Sequence, residues 1–179
     1  IDLLSTDTGA FQTPGVRRFS ADNKAPFHRI AAAQDIYLLG FGQDVVEQAL
    51  HSVTRCEIRG ATLDCHSTSV VGAWASSFYV SRDAVYLWVL CSGDERFGDK
   101  SPDEVQAGVV RMPLDGSAPT MLRVEGDPID QMSFLEKDGY LNVLVAAEGK
   151  GLRMWAAEKK KGRIAFFRAP LSEFGGTGA

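Results

Sequence analysis

The sequence predicts an all-β chain that forms part of a β-propeller, and three observations support this prediction. Apolar segments of strand length, rich in β-branched and aromatic residues, alternate with polar turns along most of the 179 residues. Two sets of similar segments recur at about fifty residues, a period typical of propeller blades. Helix signals are confined to two short stretches. We therefore expect about three and a half four-stranded blades.

The first set of repeated segments joins a short strand to a longer one across a polar turn. Tyr37, Tyr86 and Tyr140 lie at or near the start of the longer strands and are 49 and 54 residues apart. The unit of strand, turn and strand thus occurs three times. The longer strands are predicted at 36–42, 85–92 and 140–147, and the shorter ones before them at 27–31, 77–80 and 132–135.

The second set of repeated segments begins with arginine and supplies the rest of each unit. The sequences RCEIRG, RMPLDG and RAPLSE begin at Arg55, Arg111 and Arg168, which are 56 and 57 residues apart. Further strands are predicted after the first two, at 63–71 and 120–125. Together the two sets predict a four-stranded repeat. A β-sandwich, in which the strand order would mix two sheets, is the alternative fold.

The repeat divides the chain into consecutive blades of a single propeller region. A propeller needs about four to eight blades to close. We therefore expect the remaining blades to come from a longer protein or from another chain that completes the ring. Residues 1–25 are expected to end a preceding blade, 26–72 and 73–126 to form blades, 127–174 to form a partial blade, and 175–179 to form a flexible tail.

Both helix signals fall in connections between the second and third strands of a blade. Ser101 and Glu104 form a capping-box pattern with a proline in the first turn, which predicts a short helix before Gly108. A similar short helix is predicted at 44–50. Because these connections lie on the same rim of a propeller in successive blades, both insertions are expected on one face.

Cys56 and Cys65 flank a predicted hairpin. Between them, Gly60 and Ala61 form a two-residue loop with glycine in its first position, as a type II′ turn prefers. This register places Cys56 opposite Cys65 at a non-hydrogen-bonded pair, where the Cα atoms are about 4.5 Å apart and a disulfide fits. A disulfide predicts a periplasmic or secreted protein, and two reduced core thiols are the alternative. Cys91 is left as an odd cysteine.

Composition and charge exclude several classes of protein. The chain is 45% hydrophobic and 23% charged, with a formal net charge of −4, which argues against disorder and against a basic nucleic-acid binder. No apolar run approaches the roughly 20 residues that a membrane-spanning helix needs. His28, His51 and His66 match no zinc spacing. No cofactor is predicted from these features.

Acidic residues in the insertion of the middle blade are candidate metal ligands. Asp94, Glu95, Asp99 and Asp103 lie among glycines, and carboxylate oxygens are the ligands that Ca²⁺ prefers. Their spacing does not match an EF-hand. Solvated loop charge is therefore the favoured interpretation, and a Ca²⁺ site is the alternative.

Several phrases of the sequence resemble a known family. FYVSRDAVYLWV, RMPLDGSAP and PIDQMSFLEKDGYLNVLV resemble the secreted bacterial β-propeller-domain proteins, which are distantly similar to WD40 propellers. The resemblance covers residues 27–174 and lacks the Gly-His and Trp-Asp dipeptides of WD40 blades. It implies a propeller fold and export, and it supplies no catalytic residues.

These features predict a secreted or periplasmic propeller scaffold without catalysis of its own. Propellers present the loops of every blade around one channel mouth, which suits the binding of a protein or a glycan. The alternative is an extracellular hydrolase or lyase that uses the acidic rim residues, with or without Ca²⁺. No catalytic residue is assigned.

Overall fold

The structure is a computed structural model that describes residues 14–17, 24–26, 28–39, 48–60, 62–90, 106–147 and 163–175. These residues form β-strands and three 3₁₀ turns, Ala33–Asp35, Gln131–Ser133 and Leu171–Glu173, so the all-β prediction is confirmed. The strands are β1 Gly15–Val16, β2 His28–Arg29, β3 Ile36–Leu38, β4 Ala49–Arg59, β5 Thr62–Gly72, β6 Ala75–Val80, β7 Ala84–Leu90, β8 Gln106–Pro113, β9 Thr120–Glu125, β10 Asp127–Pro128, β11 Phe134–Lys137, β12 Tyr140–Ala147 and β13 Arg163–Pro170.

Sheet B is the four-stranded sheet at the centre of the described fold. Its strand order is β6-β7-β8-β9, with every neighbouring pair antiparallel. This is the simple meander that the repeat predicts for one unit. Ser81 closes the turn between β6 and β7, because its side chain accepts a hydrogen bond from the Ala84 amide at 3.0 Å. The register between β6 and β7 shifts at Ala75 and Ser77.

Sheet C follows sheet B along the chain and has β12 as its central strand. On one edge, β10 and β11 pair with successive parts of β12, and the 3₁₀ turn Gln131–Ser133 separates them. Asp130 caps this turn by accepting a hydrogen bond from the Met132 amide at 2.8 Å. On the other edge, β13 pairs with β12 over eight residues, from Tyr140 opposite Pro170 to Ala147 opposite Arg163.

Sheet A precedes sheet B and differs from the predicted meander. Its order is β3-β5-β4, and β3 runs parallel to β5. The long hairpin of β4 and β5 forms from local pairing, which leaves the edge of β5 for β3. Leu39 then packs so closely on Gly72 that a Cβ at position 72 would lie 2.5 Å from its Cδ1. The bare glycine backbone therefore permits this parallel contact.

The helix predicted at 44–50 is wrong at its C-terminal end. Ala49 and Leu50 are buried and pair with Gly72 and Val71 as the first residues of β4. Pairing with β5 thus outweighs the local helix signal. The rest of that segment up to residue 47 lies outside the described residues, as do the predicted helix at Ser101 and most of residues 1–25.

The three sheets A, B and C stack face to face in chain order. One cluster of buried side chains, which includes Val70, Leu87 and Met112, fills the space between sheets A and B. A larger cluster, which includes Trp88 and Phe167, fills the space between sheets B and C. Since both faces of β7 are covered, all six residues from Ala84 to Val89 are buried. This explains why β7 has a continuous apolar sequence rather than an alternating one.

None of the helical turns in the described residues has the length and apolar character needed to cross a membrane.

Candidate functional site

The β4–β5 hairpin reverses at the position that the sequence predicts, because Arg59 pairs with Thr62. Gly60 has φ +62°, a left-handed conformation that glycine adopts without steric cost. The pairing register runs from Arg59 opposite Thr62 to Ala49 opposite Gly72. Cys56 therefore lies opposite Cys65, with their Cα atoms 4.1 Å apart, and the two form a disulfide. The predicted disulfide is confirmed.

The outer half of this hairpin projects beyond the stacked sheets, and we refer to residues 54–60 and 62–66 as the hairpin tip. Ile58 is 80% exposed and its cross-strand neighbour Leu63 is 59% exposed. Because residues two apart in a strand share a face, these two side chains lie on the same face as the disulfide. That face of the hairpin tip is therefore apolar and open to solvent.

The opposite face of the hairpin tip is charged. Arg59 donates a hydrogen bond from Nη2 to Glu57 Oε2 at 2.7 Å, and Arg55 lies 3.8 Å from the other oxygen of the same carboxylate. Glu57 stands opposite Asp64, whose carboxylate lies 3.8 Å from His66 Nε2. Arg55 and Arg59, both on β4, thus offset part of the repulsion that the two opposed carboxylates would cause.

A cleft of about 250 Å³ separates the charged face of the hairpin tip from the turn that joins β8 to β9. Asp35, Arg55, His66 and Asp115 supply its titratable groups. Arg55 Nη1 donates a hydrogen bond to the Leu114 carbonyl, which anchors the hairpin to the turn. The cleft can therefore offer a cation and carboxylates to one polar ligand group.

Asp115 is held as a carboxylate in this cleft. The Ser117 hydroxyl and the Ser117 amide donate hydrogen bonds to Asp115 Oδ1 at 2.6 and 2.8 Å. These bonds lower the pKa of Asp115 below its ordinary value, because they stabilise the charged form. The negative charge on this side of the cleft is thus present at any physiological pH.

Sequence reasoning did not identify this cleft, although the signal was present in the repeats. Arg55 begins the first arginine segment, and Leu114, Asp115 and Gly116 end the second. These segments define the repeat. In the structure, the end of the second segment lies across the cleft from the beginning of the first. Their contact spans 59 positions in the sequence and depends on how sheet A stacks on sheet B.

The candidate Ca²⁺ ligands and the odd cysteine lie outside the described residues. They are Asp94, Glu95, Asp99, Asp103 and Cys91. Within the described ranges, no group of three or more His, Cys, Asp or Glu side chains could hold a metal ion.

The three histidines lie in different environments. His28 and His66 are exposed, whereas His51 is buried in β4. His51 Nε2 is 2.8 Å from the Ala73 carbonyl oxygen, so this nitrogen donates and carries the proton. His66 is the exposed histidine that lines the cleft.

Comparison of the chain with protein-family models, with curated proteins and with solved structures found no match.

Proposed function

We propose that this chain is a rigid scaffold within a secreted or periplasmic β-propeller and that it binds a protein partner through the hairpin tip and the adjoining cleft. The observation that carries the proposal is the exposed apolar pair Ile58 and Leu63, which a disulfide fixes on one face of a hairpin whose other face is charged. Exposed apolar side chains grouped on one rigid element are typical of a protein-binding patch.

The propeller part of the proposal is supported by the way the sheets follow one another. Sheets A, B and C stack in chain order, and only short connections separate them: Ala73 and Trp74 join β5 to β6, and Gly126 joins β9 to β10. Each new sheet therefore begins where the last strand of the previous sheet ends. Further blades, or another chain, would complete the ring.

Export is supported by the Cys56–Cys65 disulfide. Disulfides persist in oxidising compartments and are rare in the cytosol. The disulfide lies at an exposed position, where reducing agents would reach it. We therefore expect this disulfide to persist only in a compartment outside the cytosol.

A protein partner is favoured over a glycan because the exposed side chains of the hairpin tip are aliphatic and charged rather than aromatic. A rigid hairpin also loses little conformational entropy when it binds. Substitution of Ile58 and Leu63 should therefore act on partner affinity and leave the fold unchanged.

Photo-crosslinking tests the proposal in the cells that produce the protein. A benzoylphenylalanine at position 58 should give one discrete protein adduct, which mass spectrometry would identify. The matched control carries the same group at Val80, an exposed strand residue outside the hairpin tip. The purified partner should then bind the Ile58→Ser, Leu63→Ser double variant at least about tenfold more weakly, as expected for loss of a central apolar contact.

Two results would contradict the proposal. One is the absence of a protein adduct at position 58, which would leave a glycan or no partner at this surface. The other is the same set of adducts at positions 58 and 80, which would mean that crosslinking reports random collision.

A further inference from the structure

The strand β4 has a free edge, because sheet A places it last in the order β3-β5-β4. On one side, β5 pairs with β4 along its whole length, and among the described residues no strand pairs with the other side. With 11 residues, β4 is also the longest edge strand of the described sheets. It therefore presents a long row of backbone groups that the pairing with β5 does not use.

The register with β5 determines which backbone groups point to the free edge. In an antiparallel pair, hydrogen-bonded and non-hydrogen-bonded residue pairs alternate, and the non-hydrogen-bonded pairs have the shorter distance between Cα atoms. The Cα atoms of Cys56 and Cys65 are 4.1 Å apart, which identifies a non-hydrogen-bonded pair. The N–H and C=O of Cys56 therefore point away from β5. The same holds for Thr54 and Ile58, which lie two residues to either side.

The outer part of this edge is exposed and regular. Residues 54–59 are all exposed. The register between β4 and β5 is continuous, and β4 contains neither proline nor lysine. Bulges, prolines and lysines are common features that prevent an edge strand from pairing with another chain. By contrast β6, an edge strand of sheet B, has a register shift at Ala75 and Ser77. The free edge of β4 is therefore suited to accept a further strand.

An extended peptide backbone is the ligand whose chemistry matches this edge. Donors and acceptors that recur at every second residue are satisfied by a second strand, which is how several domains bind peptides at the edge of a sheet. The Cys56–Cys65 disulfide holds β4 in its paired conformation before anything binds. Because the edge is already ordered, little conformational entropy is lost on its side of the contact.

The side chains of the exposed part of β4 indicate which sequence the added strand should have. Ile58 and the disulfide lie on one face of the strand. The other face carries Arg55, Glu57 and Arg59. The two arginines share the one carboxylate, at 3.8 and 2.7 Å, so this face of β4 has a net positive charge. A strand that alternates apolar and acidic residues therefore complements both faces, because cross-strand neighbours of opposite charge attract each other.

We propose that the protein partner adds an extended segment of alternating apolar and acidic residues to the free edge of β4, antiparallel to it. The inference rests on the proposed function, because this segment belongs to the partner that the hairpin tip binds. Residues that stand opposite each other in a sheet share a face, so the apolar residues of the segment pair with Cys56 and Ile58. Backbone hydrogen bonds then supply affinity, and the alternate side chains supply specificity.

Synthetic peptides test the proposal on the intact chain. The probe is an octapeptide of alternating valine and glutamate with blocked ends, titrated into isotope-labelled protein. The amide resonances of residues 54, 56 and 58 should shift. The valine amides of the bound peptide would donate to β4, whereas its glutamate amides would point away. N-methylation of all valines should therefore weaken binding at least about tenfold relative to N-methylation of all glutamates, which is the matched control.

A proline variant removes one donor from the edge itself. Thr54→Pro loses an N–H that takes no part in the pairing with β5, and its ring blocks the approach of a strand. It should weaken binding of the unmethylated peptide at least about tenfold. Thr54→Val keeps the N–H while it also loses the hydroxyl contact with Ser67, so it should bind as the wild type does. Circular dichroism and the intact disulfide should show that both variants fold.

Equal affinity of the two methylated peptides would overturn the added strand, and so would the absence of binding by the unmethylated peptide at millimolar concentration. If the position-58 adduct still formed in cells, the proposed function would stand and the partner would bind through side chains alone. Peptide binding at β4 without any adduct in cells would have the opposite meaning: the edge would remain a peptide-binding site, and the proposed function would be overturned.

Discussion

His51 is a buried titratable residue whose protonation state follows from its hydrogen bond. Its Nε2 donates to the Ala73 carbonyl, which leaves Nδ1 unprotonated and, among the described residues, without a hydrogen-bond partner. Burial lowers the pKa of His51 below its ordinary value, because the charged imidazolium loses its hydration. The folded protein therefore binds a proton at this site less readily than the unfolded chain does.

The free energy of unfolding should consequently fall as the pH is lowered. A histidine with a depressed folded pKa contributes stability above its unfolded pKa of about 6.5 and loses it on acidification, by up to about 1.4 kcal/mol per pH unit. Urea unfolding between neutral and mildly acidic pH measures this slope. His51→Gln should flatten it, whereas His66→Gln, at an exposed site, should retain it. An equal slope in both variants would assign the acid sensitivity elsewhere.

Tyr86 shows how a polar group is accommodated between two sheets. Its hydroxyl donates to Glu136 Oε2 at 2.6 Å and accepts from Arg111 Nε at 3.2 Å, although Tyr86 itself is fully buried. Burial first, and then the hydrogen bond to Glu136, raise the pKa of Tyr86 well above its ordinary value. The phenol therefore remains a neutral donor that links β7 of sheet B to β11 of sheet C.

At the scale of an element, the β4–β5 hairpin combines a packed base with an exposed tip. His51 and Val70 are buried at the base, whereas Ile58 and Leu63 are exposed at the tip. Since the tip has few apolar contacts of its own, the disulfide and the cross-strand hydrogen bonds must hold its shape. The element therefore contains two regions of different local stability.

Reduction of the disulfide should loosen the tip and spare the core. Mass analysis before and after reduction should show the gain of two hydrogens. We expect faster amide exchange at 56–59 and 63–65 and no change in β7. The unfolding free energy should fall by at most about 2–3 kcal/mol, the loop-closure value for so short a loop. The Cys56→Ser, Cys65→Ser variant should reproduce this pattern without reductant, and equal exchange in both forms would contradict it.

At the scale of the whole molecule, stability resides in the two spaces between the stacked sheets. Trp88 lies at the centre of the larger one, with its ring edge-on to Phe134 and Phe167 at 6.0 and 5.7 Å between centroids. Its indole Nε1 donates to the Gly126 carbonyl at 3.0 Å, so burial leaves no polar group unsatisfied there. Phe174, beyond β13, closes this cluster by packing edge-on to Tyr86.

Substitution of two adjacent phenylalanines on β13 should distinguish the contribution of this core to stability from that of the outer face of sheet C, the side turned away from sheet B. Phe167→Ala removes a fully buried ring and should cost about 3–5 kcal/mol of unfolding free energy. Phe166→Ala removes a ring that is partly exposed and should cost about 1 kcal/mol when measured in dilute solution. Denaturant titration compares the two. Equal losses would mean that the outer face is covered within the monomer.

The hairpin and its disulfide were predictable because they depend on residues close in the chain. A glycine in the first position of a two-residue loop specifies the turn, and the turn specifies every pair up to Cys56 and Cys65. The strands β7, β9 and β12 were likewise predictable from continuous apolar or β-branched segments between polar turns. These features follow from local geometry and from the period of two.

The order of sheet A, the cleft and the exposed outer face required the tertiary structure. β3 could pair with β4 or with β5, and the choice depends on competition between strands that are distant in the chain. The close packing of Leu39 on Gly72 favours pairing with β5. The contact of Arg55 with Leu114 exists only because sheet A stacks on sheet B. The sequence by itself thus determined the strands, the hairpin and its disulfide. Only the tertiary structure decided which apolar faces are covered, because burial depends on neighbours that the chain brings together from a distance.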